Sequence, residues 1–458
     1  MKLSVILSIL LFYQILFCLN GINNLYSQET NSVKFQIDGN IRYRYEKWNG
    51  MNMLNYGDDS PNSLGNLNDN ILLQRVIFGF NYKPQKDFVL SFHIQDSRAF
   101  GWSLRNSVLP DAFKIKKAGT TNPYYIMNPN EVFFEIYDLN ISINNIIKNT
   151  SIKFGRQKIM ESDYRIFGPG DWGNSGRWTW DALKIMYNSE KFSMDAWIGG
   201  TRTNYPNRIT FPFTFNEYFG AGIYGIYKVN NDFSIEPYIA RKQQGNADYI
   251  KDQSINRNWI GMRIAHNDFH NIISEINYVR EFGRESGKTI SAYGLFAKVG
   301  YTFEILKNKF ILSLRYSYAS GGNKTDENVH TFDPVYGASD KYYGWMNLVK
   351  WSNLDDREIV LEAFRGNNLW IEIKYNQYRI PSPENALING TLKLKSGSNY
   401  LGEEFNIYTK YTLNNNWQFV LLFGFFSPKD TQPINNKSPE TSFTIGLQTQ
   451  YTFRFSLP

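Results

Sequence analysis

Cysteine is almost absent from this chain. The one residue, Cys18 of 458, stands inside an apolar N-terminal stretch. A disulfide framework and a cysteine metal cluster are therefore excluded from the remainder. Histidine is scarce too, limited to His93, His266, His270 and His330. His266 and His270 are four apart, a metal-ligand spacing only on a helix, and here they flank a predicted turn. No metal and no cofactor is expected. Beyond the N-terminus no segment approaches 18 uninterrupted apolar residues, so no transmembrane helix follows. No helical period is long enough for a crossover helix, which disfavours βαβ architectures. The net charge of +7 is mild and no basic run occurs, so nucleic acid is not an expected partner.

Aromatic residues are what the chain has in excess. They make up 17% of it, with 31 Tyr, 34 Phe and 11 Trp. That many rings are hard to bury in a soluble core but suit a barrel with aromatic girdles at both membrane interfaces. The mean hydropathy of −0.43 reads as soluble, yet lumen residues cancel lipid-facing ones in any window average of a membrane barrel. Residues 1–27 read as a secretory signal: Lys2, the apolar run Leu3 to Leu19, and Tyr26-Ser27 before Gln28. Phe17 before Cys18 is not the small residue a lipoprotein box wants. The mature domain is expected to span 28–458.

Val33 to Lys47 alternates for fifteen residues. Odd positions carry Val33, Phe35, Ile37, Gly39, Ile41, Tyr43 and Tyr45; even positions include Asp38, Arg42, Arg44 and Glu46. A period of two puts each set on one face of a strand. The pattern recurs to the end of the chain: 71–83, 87–96, 131–140, 150–157, 178–187, 191–199, 218–228, 232–243, 257–266, 272–282, 290–303, 309–320, 357–364, 368–379, 402–412, 416–426 and 441–455. Short connections sort to one end and long ones, such as 97–130 and 321–356, to the other. The fold class this predicts is all-β: a transmembrane antiparallel up-and-down barrel of about 18 strands, with long extracellular loops and short periplasmic turns.

Alternation also assigns the lumen. Its polar face collects Arg42, Arg44, Arg75, Lys184, Arg263, Lys298, Arg315, Lys374 and Lys410, with Asp38, Asp195, Glu236, Glu275, Glu358, Glu362, Glu372 and Glu404. Turning such a Lys or Arg toward lipid near the midplane would cost about 2–4 kcal/mol each. Paired charges can simply rigidify a wide lumen, or a basic constriction can select an anionic solute. Enzyme readings find little support: His93 faces the lumen rather than lipid, and Glu131 with Glu135 lacks any flanking glycosidase signature.

One segment is specific. Gly155 to Asp181 reads GRQKIMESDYRIFGPGDWGNSGRWTWD. It resembles the central motif of the alginate-export family of outer-membrane barrels. Shorter pieces fall in the same order: Leu72 to Arg75, Gln95 to Gly101, Ala319 to Gly322, Thr331 to Pro334, Lys341 to Gly344 and Leu401 to Asn406. The resemblance implies an eighteen-strand outer-membrane channel passing an anionic polysaccharide or related acidic saccharide. Carried onto matching positions, it implies a path through Arg75, Arg98, Arg156, Arg165 and Arg177, with Asp96, Asp171 and Asp181 as partners; Arg42 and Arg44 join as lumen charges near the rim. Arg156 shares the parity of Ile152 and Phe154, so a bulge or strand end must turn it inward. Expected partners are an anionic saccharide or other acidic solute, outer-membrane lipid, and periplasmic export or uptake components. The alternatives are a substrate-specific porin for small anions and, less favoured, a barrel-embedded hydrolase.

Overall fold

The computed structural model describes residues 35–457 except 52–65, 104–113, 117–122, 126–127, 169, 171, 177, 205–208, 246–254, 324, 338–341, 384–391 and 434–438. The signal segment 1–27 lies outside the described residues. Eighteen strands form one antiparallel sheet. They are β1 (Phe35–Asn49), β2 (Asn68–Gln85), β3 (Phe88–Phe100), β6 (Val132–Ile147), β7 (Thr150–Lys158), β8 (Thr179–Asn188), β9 (Phe192–Arg202), β10 (Asn216–Lys228) and β11 (Phe233–Gln244), then β12 (Ile255–Phe269), β13 (Ile272–Glu285), β14 (Lys288–Ile305), β15 (Asn308–Ala319), β16 (Leu354–Arg365), β17 (Leu369–Arg379), β18 (Tyr400–Thr412), β19 (Trp417–Pro428) and β20 (Ser442–Leu457). A small hairpin, β4 (Lys114–Lys116) and β5 (Pro123–Tyr125), belongs to the connection after β3. The sheet closes because β1 pairs with β2 on one edge and with β20 on the other. Closure leaves no strand edge unpaired, the condition for β-structure in lipid.

All eighteen alternating segments are barrel strands. Alternation sets their faces as expected. On β1, Arg42, Arg44 and Glu46 are buried while Tyr45 is 39% exposed. The outward series runs strand to strand through Ile141, Phe154, Leu183, Ile198, Ile223, Ile239, Ile260 and Ile276, all exposed.

Loop sorting also holds, with one departure. The end that carries Phe35 and Leu457 has turns of two to four residues throughout. The other end carries the long connections, but β13 and β14 are joined there by Ser286-Gly287 alone. Several two-residue turns take positive φ at both central residues: His270 and Asn271 at 52° and 67°, Ser286 and Gly287 at 50° and 82°, Leu306 and Lys307 at 50° and 61°. That mirror-image turn matches the right-handed twist of the flanking strands.

The lumen is not empty. The largest apolar cluster is made of inward wall side chains, such as Trp197, Trp259 and Phe296, and loop side chains, such as Phe167, Phe332 and Trp351. Two long connections, 159–178 and 320–353, fold into the barrel and supply the loop half of it.

Candidate functional site

The inner wall carries a belt of paired charges. Lys184 Nζ stands 2.5 Å from Asp195 and 3.1 Å from Glu161. Arg263 meets Glu236 at 2.7 Å and Glu275 at 2.8 Å. Arg315 meets Glu362 at 2.9 Å and Glu372 at 3.8 Å. Lys298 stands across from Glu275 on one neighbouring strand and Arg315 on the other. These are the even or odd positions that alternation turned inward. Both ring nitrogens of His93 face carboxylates, Asp38 at 2.8 Å and Asp138 at 3.1 Å. A histidine so engaged has no nitrogen left to activate a serine. Among the described residues no group of three His, Cys, Asp or Glu side chains forms a metal site.

Segment 159–178 crosses the lumen. At one end Asn174 donates through Nδ2 to the carbonyls of Gln74, Arg98 and Asn130 at 2.9–3.2 Å. Its own carbonyl accepts from Gln95 and Ser97. Arg42 donates to Gly173 O at 3.2 Å and Asn174 Oδ1 at 3.1 Å, and Arg44 to Trp172 O at 2.7 Å. Arg44 also pairs with Glu46 at 2.6 Å and lies 4.1 Å over the Trp172 ring. Both arginines are inside, as alternation had it, but they are committed to holding loop carbonyls against β1.

At its other end the segment meets the second inward loop. Phe167 and Tyr336 form a parallel bridge, closed by bonds from Gly168 N to Tyr336 O and from Tyr336 N to Ile166 O. Arg165 fills the junction. Its guanidinium lies 3.5 Å from the Phe296 ring centre, Nε donates to Asp163 at 2.9 Å and Nη1 to the Tyr343 hydroxyl at 3.1 Å. Burial opposes its charge, but Tyr343, Asp163 and Glu358 outweigh burial and keep its pKa above the ordinary arginine value. The second loop is pinned to the wall at further points. Lys242 donates to Asp333 at 2.7 Å, and Tyr378 donates to Tyr343 O at 2.9 Å. Gly344, at φ +87°, passes so close to the wall that a Cβ would stand 2.3 Å from Glu404 Oε1 and the Tyr378 hydroxyl. Only glycine fits both that backbone and that approach.

The structure divides the residues singled out from sequence. Arg75 is inward and buried, directly across from Arg42. Arg165 is inside but sealed between the two loops. Asp96 and Arg98 do not reach the lumen. The register sets them across from Val76 and Gln74, on the face of Phe78 and Phe80, and there they pair bidentately at 2.7 and 3.0 Å. Arg156 is not turned inward either. It stays across from Leu139 and Asp181 on the outward parity. Segment 209–214 instead folds over it from outside. Phe213 stacks on outward Phe154 with ring centres 5.0 Å apart, and its amide donates to Asp181 at 2.9 Å. Beneath that cover Arg156 bonds Asp181 at 2.7 and 3.0 Å, Glu135 at 3.1 Å and Thr210 O at 2.6 Å, with no exposure. Glu135 is equally buried. Asp171 and Arg177 lie outside the described residues.

The Alginate export family model matches residues 38–444. The chain belongs to the alginate export family. No curated protein matches the sequence. Similar solved structures are outer-membrane proteins. OpdK of Pseudomonas aeruginosa is 11% identical, with a TM-score of 0.58 over 92% of this chain and 99% of that one. OccAB2 of Acinetobacter baumannii is 11% identical, with a TM-score of 0.57 over 92% and 98%. OprD of Pseudomonas aeruginosa has a TM-score of 0.55 at 10% identity over 92% and 94%. Family and fold together make this an outer-membrane channel. In this family member the motif from Gly155 to Asp181 turns out to encode the segment that bridges the lumen.

Sequence reading passed over an inward aromatic series. Trp345 lies flat on Tyr408, ring centres 4.4 Å apart and 6° from parallel. Trp172 meets Trp345 edge-on at 5.0 Å. Trp370 follows at 5.1 Å from Tyr408, and Phe364 at 6.5 Å from Trp370. The series descends from the loop layer to the periplasmic turn after β16. Cations flank both ends: Arg44 over Trp172, and Lys410 Nζ 5.3 Å from the Trp370 ring centre. Parity was the available signal, since Phe364, Trp370 and Tyr408 share the inward face of Glu362, Glu372 and Lys410. Rings amid charges on a lumen face are out of place for girdle residues.

Proposed function

We propose that the channel passes an acidic saccharide along the β16–β18 side of the lumen. The observation that carries this reading is the aromatic series bounded by Arg44 and Lys410. The C–H face of a sugar ring carries partial positive charge and suits the negative face of an aromatic ring. A carboxylate on the same sugar suits the ammonium or guanidinium beside it. Lys298 and Arg315 extend the cationic supply along the wall, while Glu362 and Glu372 keep any one anion from binding too tightly to leave. The family's Alginate export description fits such a solute. In this reading Arg42, Arg44 and Arg165 shape the path by fixing the bridging loop.

A second reading, a porin for small acids, draws on the two loops folded into the lumen, which narrow it. The OpdK structure with vanillate, 10% identical with a TM-score of 0.55, shows a barrel of the same fold holding a small acid.

Reversal potentials across planar bilayers under a KCl gradient test the selectivity. Anion preference is expected, falling toward unity in a Lys298→Gln, Lys410→Gln double variant. Cation preference that the double variant leaves unchanged would sink both readings.

A further inference from the structure

Lipid-facing positions of β11 to β14 are apolar over most of their length. In the half nearer the long loops they carry three charges: Arg241 on β11, and Arg280 and Arg284 on β13. All three share the outward parity of exposed Ile239, Ile276, Tyr278 and Phe282. Their cross-strand neighbours are uncharged. Arg241 lies between Ala221 and Asn258, Arg280 between Ile260 and Tyr293, and Arg284 between Asn256 and Thr289. None forms an ion pair with a described carboxylate; Arg280 donates to Ser291 Oγ at 2.6 Å. Two outward cations elsewhere on the described wall differ: Arg357 pairs with Asp355, and Lys429 with Glu403.

Two grooves in the outer wall lie beneath these arginines. One, of about 690 Å³, runs along Phe192, Met194, Ile223, Ile260 and Tyr278 and has Arg280 at its long-loop end. The other, of about 530 Å³, runs along Leu183, Ile185, Ala196 and Ile198 and has Arg241 at that end. Small outward residues, Ala196, Ala221 and Gly225, make the wall concave here.

We propose that these grooves and arginines form a binding site for an acyl-chain lipid bearing a phosphate headgroup, in the leaflet at the long-loop end. The chains lie in the grooves and the phosphate oxygens accept from the guanidinium groups. The charge complementarity is one-sided, with three cations and no described acid, so an anionic headgroup is what the surface lacks. The depth also fits, because Tyr278 and Tyr293 beside Arg280 mark an interfacial girdle, where lipid phosphates lie.

The test uses the full barrel in neutral detergent micelles, titrated with dipalmitoyl phosphatidate and read by native mass spectrometry. Retention at least tenfold above dipalmitoyl glycerol is expected. An Arg241→Gln, Arg280→Gln, Arg284→Gln variant should lose that excess, and so should an Ala221→Leu, Gly225→Leu variant that fills the grooves. Arg357→Gln should retain it. Each variant is scored on the fraction that runs as folded barrel in unheated gels. Wild-type retention by either the arginine or the groove variant, or displacement of the lipid by inorganic phosphate alone, would overturn the proposal.

Discussion

Asp333 and Arg165 show what single residues contribute to holding the lumen loops. Burial by itself would raise the pKa of Asp333, but Lys242 and Arg257 hold it below the ordinary carboxyl value of 3.8. A carboxyl depressed by folding stabilises the docked state above its ordinary pKa, and that stabilisation is lost as pH falls through the depressed value. Docking of 329–337 should therefore weaken below about pH 4. Protection of those amides relative to their intrinsic exchange rates, at pH 3 against pH 6, measures it, and Asp333→Asn should show at both pH values the reduced protection that the wild type shows at pH 3. Arg165→Ala strands Asp163 and the Tyr343 hydroxyl inside the loop junction. Removing one partner of such a buried group costs about 3–5 kcal/mol, so exchange at 163–168 and 334–337 should accelerate at least a hundredfold while barrel amides stay protected. At this scale the sequence was only partly legible. Parity identified Arg42, Arg44 and Arg75 as inward residues. It could not show that loop carbonyls occupy Arg42 and Arg44, because those partners are some 130 residues away. The motif resemblance put Asp96 and Arg98 on the path; the register places them with Ile94 on the outward face.

Strands were the most legible elements, since a closed wall between lipid and water imposes a period of two on every one of them. Even β7 and β8, whose upper ends carry Arg156 and Asp181 on the lipid-facing parity, keep the period. The exception is tolerated because segment 209–214 covers it, and no pattern within β7 announces a cover from another loop. The face assignment makes a direct prediction. Leu314, outward near the middle of β15 and 58% exposed, should tolerate charge poorly: Leu314→Lys is expected to lose about 2–4 kcal/mol of folding free energy in lipid vesicles. Gln450→Lys, inward on β20, should change it by less than about 1 kcal/mol and shift ion selectivity instead. Urea titrations of folding into vesicles distinguish the two. The long connections were legible only as long. That 159–178 and 320–353 dock on each other follows from complementary shapes, such as Gly344 against Glu404 and Tyr378, which have no local signature.

For the whole molecule, the barrel supplies a rigid wall and the two loops decide what the wall leaves open. The loops bridge the lumen from β1–β3 to β9–β12, and the aromatic series continues from them down the β16–β18 side. On the proposed path a solute meets rings and cations in turn. This is the central claim, and current block by acidic oligosaccharides of increasing length tests it most directly. The account predicts that the blocking constant tightens with each added sugar, and that Trp370→Ala together with Lys410→Gln weakens block by the longer oligomers at least tenfold, a difference of about 1.4 kcal/mol or more. Block independent of length, and unchanged in that double variant, would contradict it.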